Sequence, residues 1–320
     1  MDAIVVDGLE KTYGKDVRAL DGMSFAVPEG EVFGLLGPNG AGKSTTVRIL
    51  VTLTRADGGR AVVAGHDVAA DPSAVRRSIG YVPQASGVDR EATARENLVL
   101  QGRLQGMRGP ELETRAGELL GLFGLESKAG ALVKTLSGGQ KRRLDVAMGL
   151  VHRPRVLFLD EPTTGLDPEA RTAMWDELGR LAGQERLTIL LTTHYLEEAD
   201  ALAQRVAIVS RGRVVAEGAP EALKRELRGD AVTVELVNGA AEQAEAVVGA
   251  LRDVHEVVTE GHRVHARVEN GAQAVPGILG ALEGAGVGVR AVTVSRPSLD
   301  DVYLHHTGRD FRSDDAAGGA

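Results

Sequence analysis

The sequence predicts an α/β P-loop NTPase fold, a mainly parallel sheet covered on both faces, with a helical subdomain inserted in it and a small α+β unit after it. Three observations predict this. The run Gly37-Pro38-Asn39-Gly40-Ala41-Gly42-Lys43-Ser44, followed by Thr45, fits G-x-x-x-x-G-K-[ST] and sits between a short apolar run and an amphipathic stretch. Apolar runs at 32–36, 79–84, 156–159 and 188–193 alternate with helical patterns, the mark of a parallel sheet buried on both faces. Past residue 230 the patterns follow the order βαββαβ, the ferredoxin-like arrangement.

Composition bounds the rest. A chain of 320 residues holds one large domain or two of ordinary size. There is no cysteine, so disulfide partners and thiol chemistry are excluded. The net charge of −8 and the lack of a basic stripe argue against a nucleic-acid partner. No signal-peptide pattern opens the sequence. The least charged window, 270–289, is rich in Gly and Ala and broken by Pro276 and Glu283, unlike a membrane span. A soluble cytoplasmic protein is the default expectation.

In order, short strands are expected at 3–6 and 24–27, with Tyr13 in a loop-like context between them, and then the strand at 32–36. The glycine-rich turn and the helix behind it make a phosphate cradle, because successive N–H groups at a helix N-terminus can point at one anion. Lys43 is expected against the β- and γ-phosphates, and the Ser44 hydroxyl on Mg²⁺. A hairpin around Gly65 and a helix at 72–77 precede the strand that ends at Pro83-Gln84. Helical spacing of Leu98, Leu104, Leu112, Leu119 and Leu120 marks an insertion, with a helical subdomain over about 87–150.

Thr135-Leu136-Ser137-Gly138-Gly139-Gln140 then opens a helix expected from about 141 to 152, and Pro154 stops it. Two glycines and a hydroxyl at a helix N-terminus form a second anion-binding device. If both devices face one nucleotide, they come from different subunits or from a large internal closure. The strand at 156–159 ends in Asp160-Glu161, where ligands sit in open α/β sheets. Asp160 is placed to hold Mg²⁺, and Glu161 to polarise an attacking water. A helix at 169–182, a strand closing on His194, a helix at 195–203 and a hairpin at 205–217 finish this part. Residues 221–230 read as a linker, 231–306 as the ferredoxin-like accessory domain with a closing helix capped by Ser298, and 307–320 as a disordered tail.

These motifs, in this order over residues 1–220, resemble the nucleotide-binding subunit of an ATP-binding-cassette (ABC) transporter. The resemblance implies that Tyr13 stacks on adenine and that residues 37–45 wrap the phosphates of ATP. It implies that Gln84 touches Mg²⁺ and the water, and that residues 136–140, including Ser137, Gly138, Gly139 and Gln140, close on the partner's ATP. Asp160 then holds the metal, Glu161 is the base, Asp167 in Gly165-Leu166-Asp167 signals across a homodimer, and His194 contacts the γ-phosphate. Thr93-Ala94-Arg95-Glu96-Asn97-Leu98 and Pro297-Ser298-Leu299-Asp300-Asp301-Val302-Tyr303-Leu304 are similar to stretches of the daunorubicin/doxorubicin-resistance type.

The expectation is a homodimeric ATPase on the cytoplasmic face of the membrane, energising drug efflux through a separate permease. The alternatives are export of a lipid, ion or polysaccharide, and a non-transport ABC ATPase acting on ribosomes or DNA. Drug sequestration by the C-terminal domain is a further one.

Overall fold

The computed structural model describes residues 1–14, 16–185, 187–227, 229–237, 240–308 and 311. The chain divides into two compact units, Met1–Glu217 and Gly218–Ala320. Apart from Thr307, Gly308 and Phe311, the expected disordered tail lies outside the described residues.

The first unit opens with an antiparallel sheet of β1 (Asp2–Tyr13), β2 (Val17–Pro28), β4 (Gly58–Val63) and β5 (His66–Asp67), in the order β2-β1-β4-β5. The short strands expected at 3–6 and 24–27 are therefore the inner parts of two twelve-residue strands, and Tyr13 ends β1. The extension was hidden because register shifts around Gly8 break the alternation, while charged residues occupy the outer half. Lys11 is held there by Asp57, 2.7 Å away.

The second sheet has the order β10-β9-β3-β8-β7-β6. Its strands are β3 (Val32–Leu36), β6 (Ile79–Val82), β7 (Val156–Asp160), β8 (Thr188–Thr193), β9 (Arg205–Ser210) and β10 (Arg213–Gly218). The run from β9 through β3, β8 and β7 to β6 is parallel. Every residue of β3, β7 and β8 is buried. Alternation divides them between two cores. Phe33, Leu35, Phe158 and Leu190 face α1 (Lys43–Leu50) and the first sheet, whereas Val32, Leu157, Leu159, Ile189 and Leu191 face the helical side.

The helical side contains α3 (Ala94–Leu104), α4 (Gly109–Leu122), α5 (Gly138–Gly149) and α6 (Pro168–Glu185). Between β5 and β6 lies α2 (Pro72–Ser78), and between β8 and β9 lies α7 (Leu196–Leu202). Thr93 and Glu96 form a capping box at the start of α3. Helix α5 begins three residues earlier than the sequence suggests, because Ser137 and Gln140 close a capping box across the two glycines.

The second unit starts with α8 (Pro220–Glu226), so a helix occupies part of the stretch read as a linker. There follow β11 (Asp230–Leu236), α9 (Ala241–Gly249), β12 (Val254–Glu260), β13 (Arg263–Val268), α10 (Gly271–Gly284), β14 (Val289–Ser295) and α11 (Leu299–Thr307). The sheet order β12-β13-β11-β14, all antiparallel, is the ferredoxin-like order. Val232, Val234, Leu236, Val264, Ala266 and Val268 pack beneath α9 and α10. Ser298 caps α11 with Asp301 in a capping box. Among the described residues no helix is long and apolar enough to cross a membrane.

Candidate functional site

Four adjacent parallel strands, in the order β3-β8-β7-β6, end along one edge of the second sheet, and each delivers a predicted residue there. β3 leads into the 37–45 loop, β8 into His194, β7 into Asp160 and Glu161, and β6 into Gln84. Ligands of open α/β sheets bind at this carboxyl edge. The register fixes the neighbours: Leu36 pairs with Thr193, Asp160 with Thr192, and Val82 with Leu159.

The loop is shaped for an anion by its glycines. A Cβ on Gly37 would stand 2.5 Å from the Val209 carbonyl oxygen, and Gly42 adopts φ 110° with the Ala19 carbonyl 2.6 Å from its missing Cβ. Any side chain there would block the turn or strain it. Lys43 is buried and donates to the loop carbonyls of Gly37 and Pro38, the latter at 3.0 Å. Its ammonium thus stands inside the cradle at the N-terminus of α1.

Asp160 is 5% exposed. Its Oδ1 accepts from the Ser44 hydroxyl at 3.1 Å and from the Thr192 hydroxyl at 2.7 Å. Hydroxyl, carboxylate and the nearby Gln84 amide are hard oxygen donors, the set Mg²⁺ takes when phosphate and water complete its shell. The residues present therefore fit that ion, which Ser44 and Asp160 would hold.

Glu161 leaves the sheet with φ 47°, a conformation rare for a residue with a side chain and often found at functional turns. Its N–H is held by both the carbonyl and the hydroxyl of Thr192, at 3.1 and 3.0 Å. The carboxylate accepts from Gln84 Nε2 at 3.0 Å and the Thr164 hydroxyl at 3.1 Å, and His194 Nδ1 lies 3.3 Å from Oε1 as an ion-pair contact. Burial pushes this carboxyl up, but the His194 ring, the Lys43 charge and the Thr164 hydroxyl outweigh it and hold it below the ordinary carboxylate range. An ionised carboxylate thus waits at the strand end, able to orient a water and take its proton.

Other predicted residues are placed differently. Tyr13 is exposed at the end of β1, with Lys11 Nζ 5.5 Å over its ring. Ser137 and Gln140 spend their side chains capping α5, while a Cβ on Gly138 would meet open space. Asp167 accepts from Ala170 N–H at 2.8 Å in the first turn of α6. The single chain gathers residues 37–45, Gln84, Asp160, Glu161 and His194. Its hydrogen bonds leave 137–140 and Asp167 as helix starts.

Sequence reasoning missed Thr192, Thr164 and Arg142. The Thr192-Thr193 pair closing the aliphatic run Ile189-Leu190-Leu191 was the available signal.

The glycine-rich loop opening α1, with the Ser44 hydroxyl bonded to Asp160 and the Glu161 carboxylate beside it at one sheet edge, is the arrangement of a P-loop nucleotide hydrolase. The chain belongs to the ABC transporter family. Residues 20–164 match the model described as ABC transporter, and residues 218–307 match that of the ATP-binding protein DrrA1-3-like C-terminal domain. It is 47% identical to the daunorubicin resistance ATP-binding protein DrrA3 of Streptomyces coeruleorubidus, over 98% of this chain and 99% of that one. It is 44% identical to the daunorubicin/doxorubicin resistance ATP-binding protein DrrA of Streptomyces peucetius, over 98% and 96%. A Nod factor export ATP-binding protein I of Rhizobium sp. (strain N33) is 41% identical over 97% and 98%. Among solved structures, the dimeric post-hydrolysis state of the ATP-binding cassette MJ0796 bound to ADP and Pi superposes with a TM-score of 0.62. It is 28% identical and covers 68% of this chain and 98% of that one.

Proposed function

We propose that this chain is the ATP-hydrolysing subunit of an exporter, coupling hydrolysis to efflux of a hydrophobic drug or antibiotic through a separate membrane permease. The observation that carries it is geometric: Asp160, hydrogen-bonded to Ser44, and Glu161, hydrogen-bonded to Gln84, stand at the sheet edge where the phosphate loop ends. The names of the daunorubicin-resistance relatives, matched over nearly full length, support the drug class.

In this reading Lys43 exchanges its loop carbonyls for β- and γ-phosphate oxygens. Ser44 and Asp160 would hold Mg²⁺, which would supply positive charge to the phosphates. Glu161 orients the attacking water and accepts its proton. Gln84 reports whether that carboxylate is in place, since the two are already hydrogen-bonded. His194 stands beside the same carboxylate, placed to meet the γ-phosphate. Tyr13, exposed at the end of its strand, stacks on the adenine.

Residues 137–140 act on the nucleotide of a second copy. Ser137 has its hydroxyl at a helix N-terminus, Gly138 leaves that terminus open, and a dimer brings it to the partner's phosphates. Asp167, two residues past Gly165, would signal across that dimer. The subunit works as a homodimer at the cytoplasmic face of the membrane, held there by the permease.

The test is purification of the full chain from membranes with and without ATP, followed by identification of what comes with it. A multi-span membrane protein in an ATP-sensitive complex is the expected result. Ribosomes, DNA or no partner would refute the transport role.

A further inference from the structure

Arg142, in the second turn of α5, is 6% exposed and serves two distant segments at once. Its Nε donates to the Pro162 carbonyl and its Nη1 to the Pro83 carbonyl, each at 2.6 Å, while Nη2 donates to the carbonyls of Asp160 and Glu161, each at 3.2 Å. One turn further along the same helix, Asp145 accepts from the Gly87 N–H at 2.9 Å. The stretch that carries Gln84 is therefore pinned near both ends by α5. The guanidinium that pins one end also grips the turn that carries Glu161.

This arrangement has a physical cause. The carbonyls of Asp160, Glu161 and Pro162 leave the sheet ladder where Glu161 takes φ 47°. A residue held in such a conformation is strained and persists only when its surroundings over-determine it. Buried carbonyls also need donors. A planar guanidinium presents five N–H groups in a fixed fork, which suits several acceptors converging on one point. A lysine in its place would bring one mobile ammonium. Helix α5 begins at the Ser137 cap, so the turn proposed to face the partner's nucleotide is fastened to both the base and the Gln84 loop.

We infer that Arg142 is a positioning residue for hydrolysis, acting through the main chain of Glu161 and Pro83 to keep the Glu161 carboxylate and the Gln84 amide in register. The inference rests on Glu161 being the base. Movement of the 137–140 turn is then transmitted through one side chain to the reacting centre. Arg142 touches no substrate.

The test compares full-length wild type, R142Q, R142K and E161Q. Each is assayed for steady-state MgATP hydrolysis and normalised to the sites that bind nucleotide in a titration. A misplacement of roughly 1 Å costs on the order of 100-fold, so R142Q should lose about 10- to 100-fold in kcat per competent site. Its KM should stay within about twofold, because the phosphate loop is untouched. R142K, with one flexible donor group, should fall between R142Q and wild type. Wild-type kcat per competent site in R142Q, with E161Q silent, overturns the proposal for Arg142 alone. So does a loss that vanishes on normalisation, which would make Arg142 a folding pin. If R142Q yields no folded protein, R142K is judged by the same criterion. Wild-type turnover in E161Q would instead sink the base assignment, and with it any action of Arg142 through Glu161.

Discussion

Replacing Thr192 by valine removes one hydroxyl from the centre of the site and nearly nothing else. Thr192 is fully buried, and its Oγ1 donates to Asp160 Oδ1 at 2.7 Å while accepting from the Glu161 N–H at 3.0 Å. The second bond is backed up, since the same N–H also reaches the Thr192 carbonyl at 3.1 Å. The first is not: among the described residues Asp160 Oδ1 keeps only Ser44, at 3.1 Å, and gains a methyl group against its charge. A hydrogen bond to a charged group contributes about 1.5–3 kcal/mol, so T192V should lose about 2–3 kcal/mol of stability. For a unit of this size that is a fall of about 4–12 °C in Tm. Urea titration followed by the fluorescence of Trp175, the one tryptophan in the chain, would measure it. The sharper readout is Mg²⁺. A carboxylate that loses the partner fixing its rotamer should bind metal about 10- to 100-fold more weakly, seen as a higher Mg²⁺ concentration for half-maximal hydrolysis. T192S keeps the hydroxyl and should need nearly the wild-type concentration. A T192V protein that loses stability but keeps its Mg²⁺ dependence would refute the claim that Thr192 orients a metal-holding Asp160.

Two glycine substitutions should separate folding from function. G138A adds a methyl group to open space at the start of α5 and gains helix propensity, so Tm should hold or rise by a small amount. Hydrolysis should still collapse if the 137–140 turn meets a partner's nucleotide, and unchanged hydrolysis would remove that role. G37A instead drives a Cβ to 2.5 Å from the Val209 carbonyl, so stability and nucleotide binding should fall together in melting and titration experiments. Glu198 in α7 is fully buried, accepting from Thr163 at 2.8 Å and Trp175 at 3.1 Å. Burial pushes its carboxyl up, against the opposing hydrogen bonds of Thr193, Thr163 and Trp175. The folded chain then holds that proton more tightly than the unfolded one. Its contribution is full below the ordinary carboxylate pKa and is lost as pH rises through the raised folded value. E198Q cannot ionise, so its Tm relative to wild type should climb as pH rises above the ordinary carboxylate range. A pH-independent difference would contradict the shift.

What was legible in the sequence was what acts locally. The phosphate loop is one contiguous run between a strand and a helix, and Asp160-Glu161 ends an unbroken apolar run, so spacing alone places them. The βαββαβ order of the C-terminal unit was readable because its strands alternate cleanly, as in β11 and β13. The groups that were missed act across the fold. Thr192 meets Asp160 over 32 residues, and Arg142 meets Pro83 over 59, through a main-chain carbonyl that leaves no sequence pattern. The outer halves of β1 and β2 were hidden for a related reason. Their charged residues are satisfied by partners such as Asp57, 46 residues from Lys11, so a local window scores them as loop. In the same way α8 was obscured in a stretch bounded by Pro220 and Gly229, which reads as punctuation although Pro220 is a good first residue for a helix.

The central claim is that Glu161 activates water at a nucleotide shared between two copies of this chain. It is tested most directly with full-length E161Q, by measuring MgATP hydrolysis and the oligomeric state in the same preparation. Gln keeps the size of the side chain but cannot take a proton. The predicted result is ATP bound without turnover, in a stable dimer that wild type forms only transiently. Hydrolysis at the wild-type rate by a monomer would contradict it.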